Sequence, residues 1–269
     1  MNWLTYTRGQ LLLSQQVFWK RLGVALVGTL LPLGFGVFGS LNARGRTSVE
    51  GIPGEEFMLT GFVGFALFFV MYNLVNSTTS RRDALVYKRL RSTSLPDSAI
   101  FAGEATSASV PSLAVVAVLI GYGIVYLKLP APADAPLLLL GIVLAAAAFA
   151  LLAIALSGIL PSAEMSMWII TPIMVVLLML SGIMIPLSEM PTALAQFSQF
   201  TPLTATVQII RTAWTGQNFG SIIGAGAHPA VGFVSAFREC SGPVGILVGW
   251  SALSIALGRR LFRWDPRRR

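Results

Sequence analysis

The sequence predicts an all-α integral membrane protein with six transmembrane helices. Of its 269 residues, 55% are hydrophobic and only 11% are charged, which is about half the charged fraction of a soluble globular domain. Six apolar segments are each long enough to cross a hydrocarbon layer about 30 Å thick. The predicted spans are residues 22–41, 57–79, 105–127, 137–160, 167–186 and 244–262.

The segment before the first span, residues 2–20, predicts a helix lying in the membrane interface. Trp3, Leu13 and Val17 fall on one helical side, and polar residues lie roughly opposite. Trp3 and Trp19 are expected at the depth of the headgroups. No small-residue cleavage motif follows the first span, so we do not expect a cleavable signal peptide.

A short basic run, RRDALVYKRLRSTSLP at residues 81–96, separates the second and third spans. Its periodicity predicts one amphipathic surface helix that ends near Pro96. The basic residues serve as a topology anchor, and we also interpret the helix as a handle that fits a groove on an ATP-hydrolysing partner. The residues assigned to this coupling helix are Arg81, Arg82, Asp83, Leu85, Tyr87, Lys88, Arg89 and Arg91.

Polar and pliable residues within the spans are candidates for a transport pathway or a helix interface. The second span ends with Asn73 and Asn76, which need protein partners or water inside a bilayer. The fifth span carries Thr171, Met174 and Ser181. Methionine adapts to irregular apolar shapes, which suits a permissive pathway and ordinary packing alike.

The chain between the fifth and sixth spans predicts two short helices that re-enter the outer leaflet. Apolar and polar residues alternate there, and Pro191 and Pro202 suit helix starts. Residues 217–243 are rich in glycine and give no functional prediction. Cys240 is the only cysteine, so it is either a free thiol or one half of a disulfide that links two copies.

The basic residues are distributed unequally across the predicted topology. The net charge is +8, but the charges flank apolar segments instead of forming the continuous patch of a nucleic-acid-binding protein. Fourteen of the 19 Lys and Arg residues fall on the side of the two termini. The positive-inside rule therefore predicts that both termini are cytoplasmic.

The side chains that catalysis or ion coupling requires are almost absent from the predicted spans. His228 is the only histidine, which argues against paired haem ligands. Acidic residues fall at span edges or in loops, which disfavours ion coupling, and no lysine follows the glycines of a phosphate-binding loop. We therefore predict no catalytic residues, no metal site and no cofactor bound by this chain.

Three motifs together resemble the membrane subunit of ABC transporters of the ABC-2 class. They are the basic loop after the second span, SGIMIPLSEMP at 181–191 and FTPLTATVQIIRTAW at 200–214. The loop keeps the KRLR and the final proline of the family pattern but has Ala84 where glycine is usual. The matching residues of the two later motifs are Ser181, Gly182, Pro186, Glu189, Pro191, Thr201, Pro202, Leu203 and Arg211.

This resemblance implies a single six-span domain over residues 1–269 in the bacterial inner (plasma) membrane. It implies a dimer with itself or a sibling permease, and two cytoplasmic ATPase subunits that bind ATP and Mg²⁺. The similarity to daunorubicin-resistance permeases implies multidrug efflux and antibiotic resistance, with a hydrophobic drug, antibiotic or lipid-like molecule as cargo. One alternative is an exporter of a lipid-linked glycan or cell-envelope lipid, and a second is a membrane scaffold or immunity protein that transports nothing.

Overall fold

A computed structural model describes residues 3–45, 49–92, 96–220 and 228–261, and these residues form helices joined by short connections. A single 3₁₀ turn at Leu187–Glu189 lies among them. The helices are α1 (Trp3–Lys20), α2 (Leu22–Ala43), α3 (Gly54–Asp83), α4 (Val86–Arg91), α5 (Asp97–Val125), α6 (Ala135–Ile159), α7 (Ala163–Leu180), α8 (Thr192–Gln199), α9 (Pro202–Thr215), α10 (Phe233–Glu239) and α11 (Ser241–Leu261).

Six of these helices, α2, α3, α5, α6, α7 and α11, are long and apolar enough to cross a membrane. The predicted all-α fold with six spans is confirmed, and two helices differ most from the predicted spans. Helix α5 begins at Asp97, before the predicted start of the third span at 105, and its polar first turns pack against α1. Helix α7 ends at Leu180, before the predicted end of the fifth span at 186, because Gly182 takes a positive φ of 74° that terminates the helix.

Helix α3 lies at the centre of the bundle. In the most apolar 18-residue stretch of α3, 89% of the residues are buried. The corresponding share is 22% in α2 and 17% in α7. Phenylalanines on α3 pack edge to face, with ring centroids 5.4 Å apart for Phe65 and Phe69 and 5.6 Å apart for Phe68 and Phe149 of α6. Because α3 contacts α2, α5, α6, α7 and α9, a displacement of α3 disturbs most of the bundle.

The predicted N-terminal helix is present as α1, and its polar side faces the protein. The side chain of Gln15 donates a hydrogen bond of 3.1 Å to the Oγ of Ser107 on α5. Gln10 and Ser14 are buried, while Trp3 and Leu4 are exposed. Gly103 permits the close approach, since a Cβ there would lie 2.9 Å from the carbonyl oxygen of Thr7. This arrangement leaves the apolar side of α1 free for lipid.

Two short helices, α8 and α9, occupy the connection between α7 and α11, as predicted. Thr201 caps α9 by accepting a hydrogen bond of 3.2 Å from the backbone N–H of Thr204. Pro202 occupies the first turn, and Gly216 ends the helix with φ 66°. Nearly all of α9 is buried against α3, α6 and α11. Its depth relative to the bilayer stays a prediction.

Cys240 follows α10 and is a buried free cysteine. Burial raises the pKa of its thiol to about 11. A neutral, inaccessible thiol is a poor candidate for a disulfide between two copies. The free-thiol interpretation therefore fits the structure better than the intermolecular disulfide.

Candidate functional site

The basic segment after α3 forms a bent element instead of the single predicted helix. Helix α3 continues to Asp83, and Leu85 then takes a left-handed conformation with φ 57° and ψ 20° before α4 begins. A left-handed residue cannot continue a right-handed helix, so the chain changes direction at Leu85. We call residues 81–92 the elbow; the predicted part of the helix at 93–95 lies outside the described residues.

The carboxylate of Glu104 on α5 is the centre of a buried polar cluster at the elbow. It accepts hydrogen bonds from Arg81 Nη1 at 2.9 Å, from the Tyr87 hydroxyl at 2.7 Å and from Gln10 Nε2 at 3.3 Å. These donors come from α3, α4 and α1 respectively. Burial and the negative charge of Glu104 raise the pKa of Tyr87 well above its usual value. Tyr87 therefore remains a protonated donor, and Glu104 ties four helices together.

Arg82 and Asp83 attach the same end of α3 to the turn between α6 and α7. Arg82 donates hydrogen bonds to the carbonyl oxygens of Ser157 and Leu160, both at 2.6 Å. Ser157 lies in the last turn of α6 and Leu160 directly follows the helix, and carbonyl oxygens at a helix C-terminus lack helical partners. The carboxylate of Asp83 accepts from the backbone N–H of Ala163 at 2.8 Å. We call Gln10, Arg81, Arg82, Asp83, Tyr87 and Glu104 the polar hub.

Seven of the eight predicted coupling residues therefore separate into a buried group and an exposed group. Arg81, Arg82 and Tyr87 are buried, so the two arginines do not lie on the surface that an amphipathic surface helix would present. They are buried because acidic and carbonyl acceptors on α5 and α6 satisfy their charge. Leu85, Lys88 and Arg89 are exposed and form the outer surface of the elbow, as Asp83 does beside them. The side chain of Arg91 lies outside the described part of the chain.

Asn73 and Asn76 line a cavity of about 30 Å³ enclosed by α1, α2 and α3, with Ser14, Arg21 and Arg81 in its walls. Neither amide atom of Asn73 has a hydrogen-bond partner among the described residues, and the same holds for Ser14 Oγ and Arg81 Nη2. Buried polar atoms are ordinarily satisfied. We call this space the polar cavity; it offers donors and acceptors to a small polar group.

The predicted pathway residues of the fifth span do not join the polar cavity. Thr171 is exposed and Met174 is half-buried on α7. Ser181 lies beyond the far end of α7, where its buried hydroxyl donates to the carbonyl of Leu178 at 2.8 Å. Asn76, which lines the polar cavity, also contacts α7, because its amide nitrogen donates to the sulfur of Met167 at 3.8 Å.

At the opposite end of α3, Arg211 brings the two later sequence motifs together. Its Nη2 donates to the carbonyl oxygens of Phe57 at 3.1 Å and Gly182 at 3.3 Å. Its guanidinium lies 3.7 Å from the centroid of the Phe57 ring. Arg211 therefore joins α9 to α3 and to the segment after α7.

Glu50 and His228 also lie at this end of α3, and neither was predicted from the sequence as a site residue. Glu50 accepts a hydrogen bond of 2.7 Å from Ser188, and its carboxylate lies 3.7 Å from His228 Nε2. Burial raises the pKa of Glu50, but the nearby His228, the hydrogen bond from Ser188 and the charge of Arg211 outweigh burial and lower it overall. These residues come from distant loops, and no short motif relates them.

We predict that Arg81 and Glu104 are energetically coupled. Replacing either alone, as in Arg81→Met or Glu104→Met, leaves a buried charge unpaired and should lower stability by about 3 kcal/mol. The double variant should lose less than the two single losses combined. Thermal unfolding in detergent across the four proteins measures this coupling. Strictly additive losses would show that the two side chains do not interact.

Comparison with known families identifies the chain. The family model described as ABC-2 type transporter matches residues 3–214, a range that includes the elbow, the polar cavity and Arg211. Comparison with curated proteins gives no match. The family match covers most of the chain and agrees with the six membrane-spanning helices. The chain therefore belongs to the ABC-2 type transporter family, as a membrane-spanning permease.

Proposed function

We propose that this permease is the membrane subunit of an ATP-driven exporter and that a separate ATPase subunit docks on the elbow. The observation that carries the proposal is the division of the elbow into an exposed surface and a buried anchor. Leu85, Lys88 and Arg89 face outward. Behind them, Tyr87 and Arg81 are fixed to Glu104 by short hydrogen bonds. A partner that moves the exposed surface therefore also moves the anchor.

The polar hub provides the physical path from the elbow to the membrane helices. Glu104 connects the elbow to α5 and α1, while Arg82 and Asp83 connect it to α6 and α7. ATP can shift the membrane helices only if the contacts of the ATPase with the elbow differ between its nucleotide states. We propose that closure of an ATPase dimer displaces the elbow and repacks these helices.

The proposed orientation places the elbow and both termini in the cytoplasm of a bacterial cell. The basic elbow and the basic C-terminal end of α11, with Arg259 and Arg260, lie on one side of the six spans. Juxtamembrane arginines and lysines favour the cytoplasmic side of the inner membrane. On this side the elbow is accessible to ATPase subunits that carry ATP and Mg²⁺.

We propose that the functional unit contains two permeases and two ATPases. Among the six spanning helices, α2, α7 and α11 have the smallest share of buried residues in their apolar stretches. Helix α7 exposes Trp168 and Val176. Apolar helix faces of this extent suit contact with lipid and with a second permease, either a copy or a sibling.

For the cargo, we propose a hydrophobic drug, antibiotic or lipid-like molecule. The apolar surface of α7, which carries Met174, suits such a cargo. The alternative cargo is a lipid-linked glycan or cell-envelope lipid, and the polar cavity of about 30 Å³ is too small for a glycan headgroup. The scaffold or immunity-protein alternative predicts no dependence on an ATPase.

Charge reversal on the exposed surface tests the docking proposal. The double variant Lys88→Glu, Arg89→Glu leaves the polar hub intact and should reduce co-purification with the ATPase subunit and ATP-dependent export at least ten-fold. The matched control is Lys128→Glu, Arg238→Glu, which makes the same change in net charge on exposed residues at the opposite end. If the elbow variant behaves like this control, the elbow is not the docking surface and a non-transporting scaffold becomes the better interpretation.

The cargo proposal is tested by drug-susceptibility profiling of cells that lack or overproduce the permease with its ATPase. Overproduction should raise tolerance of at least one hydrophobic antibiotic. The variant Asn73→Leu removes the unpartnered amide, and we expect it to keep that tolerance. Unchanged tolerance of every compound, together with a defect in envelope glycans or lipids, would instead support the alternative cargo.

A further inference from the structure

The polar cavity between α1, α2 and α3 has more positive than negative charge in its walls. Two arginines, Arg21 and Arg81, line it, and the described part of the chain places no carboxylate among the lining residues. Glu104 accepts a hydrogen bond of 2.9 Å from Arg81 Nη1 and balances one of the two positive charges. The charge of Arg21 is left over in the cavity wall.

Two buried donors line the same cavity without a partner. The Nη2 of Arg81 and the Oγ of Ser14 lack hydrogen-bond partners among the residues that the structure describes, and these residues are 6% and 5% exposed. Side chains on a helix lean toward its N-terminus, so Arg81 extends along α3 toward Ser77, which also lines the cavity. Because buried donors are ordinarily satisfied, this end of the cavity suits a ligand that accepts hydrogen bonds.

Asn73 lies at the other end of the polar cavity. It precedes Arg81 by eight residues, which is roughly 12 Å along the axis of α3. Its amide packs against α2, where a Cβ at Gly28 would overlap Asn73 Oδ1. We therefore do not count Asn73 among the groups that hold a ligand beside Arg81.

The size of the polar cavity restricts the ligand to a small one. Its volume of about 30 Å³ has room for about two water-sized spheres. A chloride ion is only slightly larger than a water molecule, whereas phosphate and sulfate carry four oxygens and are too large. A water molecule can accept hydrogen bonds from both donors, but it leaves the charge of Arg21 unbalanced. Charge therefore favours a monovalent anion over water at this position.

We propose that the polar cavity binds one chloride ion. The ion accepts hydrogen bonds from Arg81 Nη2 and Ser14 Oγ, and Arg21, which is exposed and lines the cavity, supplies the second positive charge. With the ion bound, two arginines are balanced by chloride and Glu104. The ion links α1 to α3 beside the polar hub, so its binding stabilises the attachment of α1 to the bundle. This site does not depend on the cargo or on the ATPase proposed above.

Thermal unfolding of the purified full-length permease in detergent tests the proposal. Sodium chloride is titrated against sodium gluconate at constant ionic strength, because gluconate is too large for the cavity. Chloride at about ten times its Kd should raise the unfolding midpoint by about 4 °C, and the effect should saturate. Broadening of the chloride NMR signal by the protein should saturate over the same concentrations. An equal midpoint in the two salts would show that the cavity holds water and would overturn the proposal.

A pair of arginine variants locates the site. Arg21→Gln removes the second positive charge and should abolish the response to chloride. Arg8→Gln makes the same change in net charge at an exposed position of α1 outside the cavity and should retain it. An equal response of the two variants would contradict the assigned site. If Arg21→Gln does not fold, Ser14→Ala decides: loss of its hydroxyl should weaken chloride binding about ten-fold, and unchanged affinity would overturn the proposal.

Discussion

The burial of the Glu104 carboxylate is the constraint on which the elbow end of this structure depends. A carboxylate without partners would be too costly to bury in an apolar bundle. Three donors from α1, α3 and α4 satisfy it, and each of these helices must be positioned correctly to do so. The electrostatic requirement of one residue on α5 therefore fixes the interfacial helix, the central helix and the elbow relative to one another.

Helix α3 extends this constraint across the whole membrane domain. At one end it carries Arg81, Arg82 and Asp83 of the polar hub, and at the other end Phe57 and Thr60 bind Arg211 of α9. In the middle of α3, the phenylalanine side chains pack against one another. Because protein interiors are densely packed, a displacement at the elbow cannot be absorbed locally within such a helix. Under the proposed mechanism, α3 passes movement from the elbow to the segment after α7.

The sequence predicted the spans well because a bilayer imposes a simple requirement on length and polarity. It also predicted α8 and α9 from proline positions and alternating polarity. The elbow was harder to predict. Arg81 and Arg82 are charged residues in a run that resembles a surface helix, and their burial depends on acceptors at Glu104, Ser157 and Leu160. Periodicity cannot reveal partners that lie 23 or 75 residues away in the sequence.

The distance between the elbow and α5 during the ATP cycle tests the central claim most directly. Spin labels at Ala84→Cys and Thr106→Cys occupy exposed positions on the elbow and α5, and buried Cys240 is shielded from the labelling reagent. In the proposed assembly of two permeases and two ATPases, this distance should stay constant with and without ATP, while the distance between the elbows of the two permeases changes. If the distance within one permease changes by several ångströms on ATP binding, the elbow moves independently of α5 and the account is wrong.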